Sequence, residues 1–408
     1  MKSVAAFVSL ALLGGAAICA QNLSSHSRIN NSKNTNVTPQ ATRAETAPVG
    51  SNEVSMSVEK GAKWLASVQG TDGGWGQDGG DASNIRQNVP LESNGNDVAN
   101  TAVAALALLR AGNQYAPNIQ RATNFILQRI EASPTEGLSI TNVNQTQIQR
   151  KLGPYIDTFL ASMLLAEVDG TLAGADKARA RKGLEKCVAK IEQNQMSDGS
   201  WNVAGGWAPV LGTSFASRSL YMANNNGIKV KQEAMDRAYS YTVNNQKDRS
   251  VVVAATPRAG TRGIVGGPHT KSESVAVSSG TAPSASLSAA AGVELYQDAQ
   301  ALEQLSRTAA DRKKNANEIA AINAKLSSSR FVEGYGSIGG EEFFSYLNIS
   351  EGLKRSGGKE WNEWYAKISQ KILNLQNSDG TWAGHHCITG RVAVTSAAIL
   401  NLTSNREK

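Results

Sequence analysis

The stretch Gly384-His385-His386-Cys387-Ile388-Thr389-Gly390-Arg391 gathers the side chains best suited to chemistry. Two of the chain's four histidines and one of its three cysteines stand together there. Imidazole nitrogen and thiolate sulfur are natural zinc ligands, which makes His385 and Cys387 candidate metal-binding residues. The plainer alternative has the histidines bonded to loop carbonyls and Cys387 packed as a small hydrophobe. A second group is Glu341-Glu342. A carboxyl buried there would hold its proton more tightly and could serve as a general acid. Equally, acidic residues in a helix's first turn complement its dipole and its free amides. Neighbouring residues diverge by about 100° on a helix, so at most one of the two would aim inward. Asp157, three residues after Pro154, carries the same two readings, and so does Asp97. Tyr155, Trp207 and Tyr346 could line a pocket for an apolar chain or simply fill a core, and Arg391 completes the polar set.

The elements that must position these residues are repeated. Gln69-Gly70-Thr71-Asp72-Gly73-Gly74-Trp75, Gln195-Met196-Ser197-Asp198-Gly199-Ser200-Trp201 and Gln376-Asn377-Ser378-Asp379-Gly380-Thr381-Trp382 share one spacing. In each, Gly follows Gln by four positions and Trp follows Gly by two. Before the Gln runs an amphipathic helix, as Trp361, Trp364, Ile368, Ile372 and Leu375 show. The Asp-Gly pair makes a turn, the Gln amide can bond free backbone groups at the helix end and in the turn, and the Trp pins the loop onto the next hairpin. After each turn comes a helix that is apolar nearly all round and must be buried, such as 98–109. Further inner candidates are 155–168, 212–222, 286–305, 342–353 and 392–402; outer ones lie near 56–69, 117–130, 176–194, 230–246, 311–326 and 359–376. The fold class is therefore all-α, with about six helical hairpins. The turns gather on one rim, together with the N-termini of the inner helices and with Asp97, Asp157, Glu341, Glu342, His385, His386, Cys387 and Arg391.

The run Lys60-Gly61-x-x-Trp64-Leu65-x-x-x-Gln69-x-x-x-Gly73-x-Trp75 resembles the repeat of squalene cyclases and protein prenyltransferase β subunits. Arg121-Ala122-x-x-Phe125-Ile126 and Arg237-Ala238-x-x-Tyr241-Thr242 look like weaker copies. The resemblance implies an α/α toroid over about 55–404, six inner helices forming a barrel inside a sheath of six outer ones. It also implies zinc: prenyltransferases carry a His-x-Cys stretch in their last repeat whose His binds the metal, and His385 is the matching position. Their other ligands, an Asp and a Cys two residues apart, fall here on Gly340-Glu341-Glu342-Phe343. A carboxylate survives, the Cys does not, and Cys387 would have to substitute. Squalene cyclases need an Asp-x-Asp-Asp cluster as their strong acid, and this sequence has none. The Gly-Cys-Gly-Glu-Gln stretch of thioester toroids is missing as well. Six-hairpin toroids also host glycan-cleaving enzymes with paired carboxylates, for which Glu341 or Glu342 with Asp157 would qualify.

Composition narrows the setting. Lys2 followed by the uncharged apolar run 4–17 and small residues has the layout of a secretory signal peptide, cleaved near Ala20. Residues 21–52, rich in Ser, Thr, Asn and Gln, are expected to form a disordered polar linker ahead of a toroid domain over 53–408. A Gly- and Ser-rich loop is expected at 247–283. No later segment has the apolar length for a transmembrane helix. The product is expected to be secreted or periplasmic. The net charge of +7 is modest, and the basic cluster of Lys177, Arg179, Arg181, Lys182, Lys186 and Lys190 reads as a solvated helix face, so no nucleic-acid partner is expected. The leading functional expectation is a binding toroid that holds an apolar, isoprenoid-like small molecule or a protein partner at its cavity or rim. The alternative is an enzyme, metal-assisted or glycan-cleaving, centred on Glu341/Glu342 and His385/His386/Cys387.

Overall fold

A computed structural model of the chain describes residues 51–80, 95–172, 174–201, 208–255, 293–326, 339–356 and 358–406. All of them belong to one compact unit, Val49–Lys408. Inner helices show no polar stripe because every face is covered. In α2 (Val98–Ala111) each residue from Val98 to Leu108 is buried, and in α14 (Arg391–Leu402) each residue from Val392 onward. The other inner helices are α5 (Ile156–Val168), α7 (Ala208–Asn225), α9 (Val293–Leu305) and α12 (Gly340–Ser356). Outer helices bury a single stripe. In α1 (Ser51–Ser67) it is Val54, Ser57, Val58, Gly61, Ala62 and Leu65, the spacing of one helical face. The remaining outer helices are α3 (Ala116–Ala132), α6 (Gly174–Gln193), α8 (Gln232–Ala255), α11 (Ala316–Leu326) and α13 (Lys359–Asn374). Two short helices complete the set, α4 (Gln147–Leu152) before α5 and α10 (Ala309–Lys314) before α11. No β-strand occurs among the described residues.

The inner helices touch in a cycle, α2 to α5, α7, α9, α12, α14 and back to α2. The turn motif explains how neighbouring hairpins join. Gln69 Nε2 donates to the carbonyl of Gly73 in its own turn at 2.8 Å and to that of Asn118 on the next outer helix at 2.9 Å. Gln195 bridges Gly199 and Ala234 in the same way, and Gln376 bridges Gly380 and Ser57. The last bridge spans 319 residues and joins the final hairpin to the first. Each turn glycine is left-handed (φ +89° at Gly73, +93° at Gly199, +88° at Gly380) and lies against the next outer helix, so a side chain has neither the backbone angle nor the room.

The tryptophans pack onto the next hairpin, as the Trp382 ring does against Gly61 of α1, but make no polar bond to it. Their indole N–H groups bond back to their own outer helix, at Leu65, Ile191 and Ile372, over 2.7–2.8 Å. Their backbone N–H groups are received by Thr101, Thr213 and Thr395 of the following inner helix. The Gln, not the Trp indole, makes the polar link to the next hairpin.

Three expectations shift. Helix α8 continues to Ala255, so the first residues of the expected 247–283 loop are helical. The outer helix expected at 311–326 is broken at Asn315, whose amide donates to Leu305 O at 3.2 Å. The basic face of α6 is not simply solvated. Lys190, almost fully buried, donates to the carbonyls of Glu136, Gly137 and Ser139, and Lys186 to those of Ile130 and Ser133. These lysines fasten α6 to the end of α3. The signal-peptide segment and nearly all of the polar linker lie outside the described residues. Among the described residues no helix is long and apolar enough to cross a membrane.

Candidate functional site

The turn before α14 folds onto the start of α12. Gly340 N–H donates to Ile388 O at 3.0 Å, and a β-carbon at Gly340 or Gly384 would collide with that same carbonyl. This close approach brings Glu341 against the turn, with Oε1 3.4 Å from His386 Nδ1. Cys387 takes a left-handed backbone angle, φ +60°, uncommon for a residue with a side chain. The result is a cluster in which donor atoms of Glu341, His386 and Cys387 all lie within 4.8 Å of one another. His385 points to solvent and lies outside this cluster. The structure thus assembles the neighbour of the expected ligand. Glu341 is buried, and its Oε2 has no hydrogen-bond partner among the described residues.

Glu342 turns another way, as the helical angle requires. Its carboxylate accepts from the Tyr346 hydroxyl at 3.2 Å. Burial, and next the adjacent Glu341, raise its pKa to about 7. Tyr346 is itself buried, its ring 6.0 Å from Trp364 and 6.5 Å from Phe343. It fills the core between α12 and α13 and does not line an open pocket. Arg391 secures the ring closure: its N–H donates to Asp78 at 2.8 Å, and its guanidinium lies 3.3 Å from Asp379 and 5.1 Å from the Trp64 ring centre.

Farther round the rim, Asp97 caps α2 by accepting from the backbone and side chain of Asn100, both at 2.8 Å. Asp157 accepts from Ala99 N–H at 3.1 Å and from the Gln149 amide at 2.7 Å. Burial raises Asp97 to about 6 and Asp157 to about 7, the latter aided by the charge of Asp97. Asp157 thus lies near enough to Asp97 to feel its charge, while its hydrogen bonds go to Ala99 and Gln149. Two inner helices, α14 and α2, lie between it and Glu341 in the ring. Asp97 and Tyr155 line a cleft of about 790 Å³ with Phe125, Arg129, Leu138 and Ile140. Beside it, α4 is strapped over the rim, with the Gln147 amide bonded to Thr389 at 2.9 Å. Trp207 lies outside the described residues.

Residues 39–137 match the family model of the squalene-hopene cyclase C-terminal domain. Over this segment the chain is similar to terpenoid cyclases. The matched segment includes the first Gln-to-Trp turn and helices α1 to α3. No curated protein matches the chain closely enough to count as a relative.

Zinc is implied by the resemblance of the last repeat to protein prenyltransferases, not by the squalene-hopene cyclase match. A carboxylate, an imidazole and a thiol form a donor set that zinc accepts, and three protein ligands leave one position for water or substrate. The buried and unpartnered Oε2 of Glu341 is the observation that fits, since a carboxylate oxygen in such a place calls for a cation or a proton. The other described cysteine offers no comparable chemistry. Cys187 is fully buried in α6, and burial pushes its thiol up to about 12.

Sequence reading missed one charged group altogether. Inside the far half of the barrel Arg218 of α7 pairs with Glu303 of α9 at 2.8 Å and with Glu351 of α12. Ser214 donates to Glu303 at 3.2 Å, and Arg355 stands 3.9 Å from it. Arg218 and Glu303 are both nearly inaccessible to solvent. The charged residue in an otherwise apolar inner helix was the available signal.

Proposed function

We propose that this protein is an exported, terpenoid cyclase-like toroid that acts as a metal-assisted enzyme at its turn rim. Glu341, His386 and Cys387 hold one divalent cation, zinc before others. The observation that carries this reading is their convergence within 4.8 Å around a buried carboxylate oxygen that lacks a partner among the described residues. When bound, zinc supplies a Lewis acid and a water of lowered pKa. The chain's own part is to fix the ligands: the Gly340–Ile388 bond sets the spacing of turn and helix, and the left-handed Cys387 aims two adjacent side chains at one point. Export rests on the apolar, uncharged segment 4–17.

The test is elemental analysis of the purified protein. We expect close to one zinc per chain, lost in Glu341→Gln and in Cys387→Ser and kept in His385→Ala. Metal-free protein, or a metal content that both ligand variants leave unchanged, would refute the centre.

A second reading, a binding toroid for an apolar ligand, is favoured by the cleft at Tyr155, Phe125, Leu138 and Ile140. Mass spectrometry of natively purified protein should then reveal a co-purifying lipid that Tyr155→Ala releases.

A further inference from the structure

The inner helices end at the side of the barrel opposite the turns. Helix C-termini carry unsatisfied carbonyls and partial negative charge, and cations there normally serve those carbonyls. Arg312 does so, donating to Ser306 O at 3.1 Å, and Lys354 does so at Ser404 O at 2.6 Å. Three neighbours do not. The Arg307 guanidinium lies 5.5 Å from the centre of the Tyr239 ring, and Lys314 Nζ lies 5.6 Å from the same centre. Arg355 lies 5.2 Å from the Tyr221 ring, and the Tyr221 hydroxyl donates to Arg307 O at 2.9 Å, tying the two rings into one row.

These contacts hold the cations in place by their faces and leave their N–H groups unused. Among the described residues none of the three donates a hydrogen bond to the protein, and no carboxylate lies within ion-pairing distance of Arg307 or Lys314. Arg355 has Glu303 at 3.9 Å, but that carboxylate is already bonded to Arg218. Arg307 and Lys314 share the Tyr239 ring with no ion-paired carboxylate among the described residues, so they repel one another, and an anion between them removes that repulsion. Arginine forks and a lysine ammonium are the groups that recognise tetrahedral oxyanions.

We propose that Arg307, Lys314 and Arg355, set on Tyr239 and Tyr221, bind a phosphate or sulfate group. The site lies at the far end of the barrel and is independent of the rim centre.

Inorganic phosphate, inorganic sulfate and heparin, each titrated into the full chain at constant ionic strength by calorimetry, test it. We expect saturable binding by at least one of the three, weakened about tenfold or more in Arg307→Gln and in Lys314→Gln, the loss of one charge-assisted hydrogen bond. Lys177→Gln, on the distant helix α6, should bind as the parent does. Lys314 is exposed, so its variant keeps the test valid should Arg307→Gln fold poorly. Binding of inorganic phosphate or sulfate identifies a free anion; binding of heparin alone, lost in the same variants, places the group on a sulfated polymer. No binding by any probe overturns the proposal, as does binding that both variants leave intact or that Lys177→Gln weakens equally.

Discussion

The two ends of the barrel bury carboxylates under opposite conditions. At the far end Glu303 and Glu351 share Arg218, with Arg355 behind them, so two negative charges meet two positive ones. At the rim Asp97, Asp157, Glu341 and Glu342 are as deeply buried, and among the described residues none of them meets an arginine as Glu303 meets Arg218; Glu342 feels Lys371 only as a weaker, offsetting charge. The consequence shows in proton affinity: Asp157 and Glu342 are both lifted to about 7 by burial. A buried charge that is paired is committed to holding structure. One that is unpaired stays available to protons, metals or substrates.

The sharpest way to break the contrast is to unbalance the far end. Arg218→Met leaves two buried carboxylates unpaired and should cost about 3–5 kcal/mol, as removal of one member of a buried pair does. Urea unfolding would measure it. A cost under about 1 kcal/mol would mean that the network is not structural.

The rim should respond to pH instead. An unfolded aspartate titrates near ~4, whereas Asp157 in the folded chain titrates at about 7. Between those values the folded chain holds the extra proton, so the stability that Asp157 contributes is complete below the lower value and lost as pH rises through the upper one. Asp157→Asn should therefore flatten part of the decline in stability from pH 5 to pH 8, seen as a smaller gap between unfolding midpoints. An unchanged gap would show that Asp157 is not a source of that decline. Asp97, raised for the same reason to about 6, keeps a residual slope.

The smallest effect concerns the rim's own cation. Arg391→Ala removes a half-exposed contact with Trp64 and Asp379 and should cost about 0.5–1 kcal/mol. Thermal melts of both proteins would resolve this, and a cost near that of Arg218→Met would erase the distinction between the two ends.

How much of this was legible beforehand depended on distance along the chain. The hairpins were readable because helical periodicity and the Asp-Gly turn are local, and five inner-helix starts lie within a few residues of the expected ones. The Gln bond to its own turn was readable for the same reason. Its second bond, to Asn118, Ala234 or Ser57, depends on which helix lies next door and at what height. The same holds for Arg218, whose polarity was visible and whose partners on α9 and α12 were not. At the metal-type cluster the difference was finer. Both histidines were noticed, but which of them meets Glu341 depends on the local backbone, where Cys387 is left-handed, and no spacing rule gives that angle. The bond between Gln149 and Thr146 has a local pattern, Thr-x-x-Gln, and could have been found as a capping box.

The Gln376–Ser57 bridge has a consequence for how the chain can be cut and rejoined. Since the last hairpin meets the first through the same bond that links consecutive hairpins elsewhere, the ring has no privileged beginning. Joining the end of α14 to the start of α1, which already touch, and opening the chain between two other hairpins would keep every such bond. A circular permutant of that kind should fold to the same barrel, whereas removing any one hairpin would leave two faces exposed with nothing to cover them.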